Sequence, residues 1–105
     1  MKTLTLPLKR KWFDMIKAGI KKEEYRDIKP YYEKRLLEPF SSRLFRNGET
    51  GVKSFDRLVF TLGYPKAGDT ERMLVFKNPK IRIDTGKPEW GAEPGKLYYV
   101  IKWEE

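Results

Sequence analysis

Cysteine and histidine are both absent from the 105 residues. The first absence rules out a disulfide framework and a thiolate centre. The second removes imidazole acid–base chemistry, and together they leave structural zinc without its usual sulfur and nitrogen ligands. No apolar run approaches the ~18 residues that a membrane-spanning helix needs. Met1-Lys2-Thr3-Leu4-Thr5-Leu6-Pro7-Leu8 runs straight into Lys9-Arg10-Lys11, without the apolar centre of a secretory signal. No membrane partner, no structural metal, no cofactor and a cytoplasmic location are therefore expected. Repeats, low-complexity tracts and interdomain linkers are missing too, so residues 1–105 read as a single domain. Any reaction here must be built from Lys, Glu, Asp, Tyr, Ser or Thr.

What the chain does have is basic charge and aromatic area. Lysine and arginine number 23 against 15 acidic residues, a net charge of +8. The excess is uneven: residues 1–52 hold 13 basic and 7 acidic side chains, whereas residues 53–105 hold 10 and 8. A basic half on a small domain is the footprint of a polyanion binder, because each neutralised phosphate releases counterions. The plainer reading is solubility. Three tryptophans, six tyrosines and six phenylalanines supply a core without staples.

Periodicity sets the elements. In Thr3–Leu8, leucines at 4, 6 and 8 alternate with Thr3, Thr5 and Pro7, which predicts a half-buried strand that Pro7 confines to an edge. From Lys9 to Ala18 the period changes to helical, with Trp12, Phe13, Met15 and Ile16 on one stripe and Gly19 as the residue that ends the helix. Ile20–Ile28 reads as a short charged strand. Pro30 opens a second helix over Tyr31–Leu37, with Tyr32 and Leu36 inward. Phe40–Ser54 reads as a loop. Alternation resumes in Leu58–Leu62, Met73–Lys77, Ile81–Ile83 and Leu97–Trp103, and the Pro/Gly-punctuated Thr85–Gly95 reads as a second loop. The pattern predicts an α+β domain: a small, mostly antiparallel β-barrel with two N-terminal helices.

The densest chemistry follows Gly19. Within seven residues stand Lys21, Lys22, Glu23, Glu24, Tyr25 and Arg26. On a strand, Lys22, Glu24 and Arg26 share one face, and Lys21, Glu23 and Tyr25 the other. Such a run can bring together an amine, a carboxylate and a guanidinium fork able to grip phosphate with two parallel hydrogen bonds. It can equally be a solvated edge strand whose charges prevent edge-to-edge aggregation.

Gly19-x-Lys21-x-x-Glu24-x-Arg26 resembles the GxKxxExR signature of the ASCH domain family, a member of the PUA-like β-barrel group. Leu6-Pro7-Leu8, Trp12-Phe13, the run from Lys22 to Tyr32 and Gly86-Lys87-Pro88-Glu89-Trp90-Gly91 are also similar to small stand-alone ASCH proteins of bacteria and their phages. The resemblance covers nearly the whole chain. It implies RNA or nucleotide binding in a cleft lined by the signature. It also implies alternatives, since some ASCH proteins are ribonucleases and one small branch is an N4-acetylcytidine amidohydrolase. Lys21 matches the lysine of that branch, while Glu24 stands where its threonine would be. On this basis Lys21 and Glu24 are the candidate catalytic pair of a metal-independent hydrolase. Lys22, Tyr25, Arg26, Tyr31 and Trp90 are the candidate RNA contacts, and Gly19 is the structural glycine.

Aromatic side chains beside Lys and Arg give single-stranded nucleic acid stacking platforms worth ~1–3 kcal/mol per base. Tyr25, Tyr31, Tyr32, Tyr64 and Trp90 stand in such settings. Trp90, flanked by Glu89 and Gly91 in its punctuated loop, is the best of them. Three roles remain open from the residues: a binding module for RNA or a nucleotide, a hydrolase, and an accessory protein that docks to another protein through Arg43–Arg46.

Overall fold

The computed structural model describes residues 1–38, 51–64, 68 and 70–105. Arg43–Arg46 and most of the expected Phe40–Ser54 loop lie outside the described residues. The alternating leucines form β1 (Thr3–Leu8), with Leu4, Leu6 and Leu8 buried and Thr5 exposed. Helix α1 (Arg10–Lys17) follows and buries Phe13 and Ile16, while Trp12 and Met15 are half-buried. Its end shows why glycine is needed there. Gly19 has φ 76°, its N–H donates to the Ile16 carbonyl, and the Ile20 N–H donates back to Met15. That double closure requires a left-handed residue, which costs an L side chain ~1–2 kcal/mol and glycine nothing.

This helix ending also shortens the next strand. The N–H groups of Ile20 and Lys21 both donate to Met15 O, so they are not available to a ladder. Strand β2 covers only Glu24–Asp27 instead of Ile20–Ile28. Helix α2 (Pro30–Leu36) has Pro30 in its first turn, where a missing N–H is harmless, and it buries Leu36. After it, Leu37 and Val52 form an isolated antiparallel bridge. Strand β3 (Arg57–Leu62) buries Leu58, Val59, Phe60 and Thr61, so both of its faces are covered rather than one.

Met73–Lys77 and Ile81–Ile83 are joined in one strand, β4 (Met73–Thr85). Pro79 lacks the N–H that a ladder would use. The strand passes it through Asn78, which takes φ 47°, donates its N–H to Asp56 and reaches Glu104 with its side-chain amide at 2.9 Å. Strand β5 (Leu97–Glu104) buries Tyr98 to Ile101 on both faces and leaves Leu97 exposed, so the face that Leu97 shares with Tyr99 and Ile101 is covered only in part.

The five strands form a mostly antiparallel sheet in the order β1-β3-β4-β5-β2. Strand β1 pairs with β3 in parallel, whereas β3 with β4 and β2 with β5 are antiparallel. Pro7 sits on an edge strand, as expected. The other edge is β2, and among the described residues the sheet is open rather than closed into the expected barrel.

The chain divides into two compact units. The first comprises Met1–Lys22, Phe55–Pro79 and Lys102–Glu105. Its core combines the leucines of β1 and the apolar face of α1 with Phe60, Phe76 and Trp103. Their rings meet at centroid distances of 5.0 to 6.1 Å. The second comprises Glu23–Ser54 and Lys80–Ile101 and is built on Leu36, Ile81, Ala92 and the Tyr98–Ile101 segment.

Candidate nucleic-acid interface

Ionisable side chains of the signature are buried, which is rare unless they are paired. Lys21 is 1% exposed, and Glu23 and Glu24 are each 7% exposed. Lys21 belongs to the first unit, where its ammonium lies 5.3 Å from the centroid of the Trp12 ring; Lys11 also lies against that ring, at 4.7 Å. Lys22 turns to solvent and meets Glu105 at 3.5 Å.

The remaining signature residues lie in the second unit and divide by strand alternation. Glu24 and Arg26 leave β2 on one face, Tyr25 on the other. On the first face Arg26 Nη2 donates to Glu24 Oε2 at 2.7 Å, with both side chains about nine-tenths buried, and Nη1 donates to the Tyr32 hydroxyl at 3.0 Å. Burial alone would lower the Arg26 pKa, but the Glu24 charge and the Tyr32 hydrogen bond outweigh it and hold the guanidinium above its ordinary value. The Tyr32 ring carries two cations, Arg26 at 5.7 Å and Lys29 at 5.6 Å. Tyr31 meets Tyr32 edge-on at 4.9 Å, stands 58% exposed and has Arg35 at 5.8 Å. A pair of tyrosines in contact with three cations thus projects from the start of α2.

On the opposite face, Tyr25 and Glu23 form a second network. The Tyr25 hydroxyl donates to Glu23 Oε1 and accepts the Lys87 backbone N–H, both at 3.0 Å. Arg82 bridges Glu23 at 3.0 Å and Asp84 at 3.1 Å. Burial, reinforced by the negative charge of Glu23, pushes the Tyr25 phenol up to about 12. The loop after β4 lies against this network, with Trp90 half-buried and the Lys87 ammonium 4.5 Å from its ring centroid.

Among the candidates, Glu24, Arg26 and Tyr31 therefore belong to one cluster, and Tyr25 and the Trp90 loop to another. Sequence reasoning missed Arg82, which sits 59 positions from Glu23 and carries no local spacing signal. It also missed Lys29 and Arg35. Their spacing from Tyr32 and Tyr31 on α2, three and four residues, is the signal that could have found them. No group of acidic residues among the described residues is arranged to hold a metal ion, and no described helix is long and apolar enough to cross a membrane. Comparison with known proteins matches no family model, no curated protein and no solved structure.

Proposed function

We propose that the protein is a single-stranded RNA- or nucleotide-binding module of the ASCH type, its open sheet corresponding to the barrel strands of the PUA-like group. The observation that carries this reading is the tyrosine pair of α2 in contact with Arg26, Lys29 and Arg35. An exposed ring beside cations offers a base a stacking surface and its phosphates a counter-charge. Glu24 acts in this reading as the anchor of Arg26, since a guanidinium fixed at 2.7 Å keeps its fork oriented without a ligand.

The test is a titration of short single-stranded RNA at rising salt. Affinity falls steeply between 50 and 200 mM salt for a protein that neutralises several phosphates. Tyr31→Ala weakens binding by the worth of one stacked base, ~1–3 kcal/mol. Salt-independent binding, or a Tyr31→Ala variant with wild-type affinity, refutes the proposal.

A second reading, hydrolysis of RNA or of a modified nucleoside with Lys21 as base, draws on the burial of Lys21. The residue is 1% exposed, so it is withdrawn from bulk water. Turnover of RNA oligomers and N4-acetylcytidine by wild type, lost in Lys21→Met, supports it; equal or absent turnover in both removes it for those substrates.

A further inference from the structure

The loop that carries Trp90 is held at both ends by tyrosine hydroxyls. At its start Tyr25 accepts the Lys87 N–H at 3.0 Å, and at its end Tyr98 accepts the Glu93 N–H at 2.9 Å. The two rings pack against each other with centroids 5.7 Å apart, and Ala92, Tyr98 and Val100 form a buried cluster on which Tyr25 rests. Between the clamps the loop closes on itself. The Lys87 carbonyl accepts the Trp90 N–H at 2.9 Å and the Ala92 N–H at 3.3 Å, and Gly91 takes φ 99° to let the chain turn.

Gly86 is where the fit is tightest. A Cβ there would stand 2.7 Å from the Tyr25 ring and 2.7 Å from the Ala92 Cβ, closer than carbon atoms approach. Behind Tyr25 the network continues through Glu23 and Arg82 to Asp84, whose second oxygen accepts the Thr85 N–H at 2.7 Å. The strand end and the loop start are thus referred to the same phenol. Tyr25 has its hydroxyl in two hydrogen bonds and its ring against Tyr98. This is the environment of a residue that holds other groups, not of one that stacks on a ligand.

We propose that Tyr25 is a positioning residue: it fixes the Lys87–Trp90 loop so that Trp90 and the Lys87 ammonium form a preformed platform for one base and its phosphate. The inference rests on the RNA-binding reading and gives that surface a second contact point, on the opposite face of β2 from Tyr31. Preforming the loop removes the ordering cost of binding and so acts on affinity without touching the ligand.

The experiment pairs amide hydrogen exchange with RNA affinity in Tyr25→Phe, Trp90→Ala and the double variant. Tyr25→Phe keeps the ring and loses only the hydroxyl. The expected result is exchange at the Lys87 amide about tenfold faster, the equivalent of one lost hydrogen bond. RNA binding falls ~5–150-fold in Trp90→Ala, the equivalent of one stacked base. It falls less in Tyr25→Phe, and the double variant is no weaker than Trp90→Ala alone, because both changes act through one platform. A purely structural Tyr25 would lower the melting temperature and leave affinity alone; that outcome overturns the proposal, as does additivity in the double variant. Gly86→Ala, which displaces the same loop from the other side, lowers affinity in parallel; wild-type affinity in that variant also counts against it. If the wild type binds no RNA, the RNA reading falls by itself. Lys87 exchange then still decides the positioning role, with an unchanged rate in Tyr25→Phe overturning it.

Discussion

Glu24→Ala removes the carboxylate from a pair in which both partners are about nine-tenths buried and 2.7 Å apart. At an effective dielectric of ~20, two unit charges at that distance attract by about 6 kcal/mol. Desolvating each ion costs several kcal/mol, so the intact pair nets little relative to apolar residues of the same size. Breaking it is another matter. Arg26 cannot shed its proton, and it would keep its burial while losing the carboxylate that offsets it. The expected loss is ~3–5 kcal/mol, a large part of the ~5–15 kcal/mol that a domain of this kind possesses. A loss of 3 kcal/mol lowers the melting temperature by ~12 °C or more. Urea denaturation and thermal melting of wild type, Glu24→Ala and the double variant Glu24→Leu/Arg26→Met measure the two quantities. The double variant should recover most of the loss, since it removes both buried charges of the pair at once. A Glu24→Ala loss below ~1 kcal/mol, or a double variant no more stable than the single, would falsify this account of the pair.

Three further outcomes follow from packing, backbone geometry and titration. Phe60→Ala deletes a fully buried ring from the cluster with Phe76 and Trp103 and costs ~3–5 kcal/mol in chemical denaturation; a loss under ~1 kcal/mol means the cluster is not part of the core. Gly19→Ala forces an L residue to φ 76° at the end of α1 and costs ~1–2 kcal/mol, with no change expected in the denaturant m-value. The Tyr25 phenol, pushed up to about 12 in the folded protein from an ordinary 10, makes stability fall as pH rises through that window, because the native state keeps a proton that the unfolded chain releases. The full effect would be ~2.7 kcal/mol, and solvent screening of the partly exposed ring reduces it to about 1 kcal/mol. Denaturation of wild type and Tyr25→Phe at pH 9 and pH 11 should show a steeper decline in the wild type, and parallel declines would refute the assignment.

The leucine alternation of β1, the amphipathic stripe of α1, the glycine that ends it and the proline that opens α2 were all legible in the sequence because each is decided within a few neighbouring residues. What was less legible depends either on the way α1 ends, which shortens β2, or on partners distant along the chain. Leu97 alternates with Tyr99, yet Leu97 is exposed where Tyr99 is buried. Pro79 has no N–H for the ladder, and hydrogen bonds from Asn78 to Asp56 and Glu104 carry β4 past it. The signature run was recognisable as dense chemistry, and alternation correctly set Glu24 with Arg26 and Glu23 with Tyr25. What alternation alone could not supply was the identity of the groups waiting on each face: Tyr32 and Lys29 on one, and Arg82 with the Lys87 amide on the other.

Strand β2 is four residues long, and its pairing with β5 sets Tyr25 opposite Val100 and Arg26 opposite Tyr99. A slip of one residue would exchange its faces, carrying the guanidinium toward the loop amide and the phenol toward Tyr32. A strand this short contributes little to choosing its own register. That choice falls to its polar contacts, each of which can be made on one face only. Residue counts between Gly19 and Pro30 are correspondingly inflexible: insertion or deletion of a single residue there should disable both faces at once, whereas conservative exchanges at Asp27 or Ile28 should leave them working.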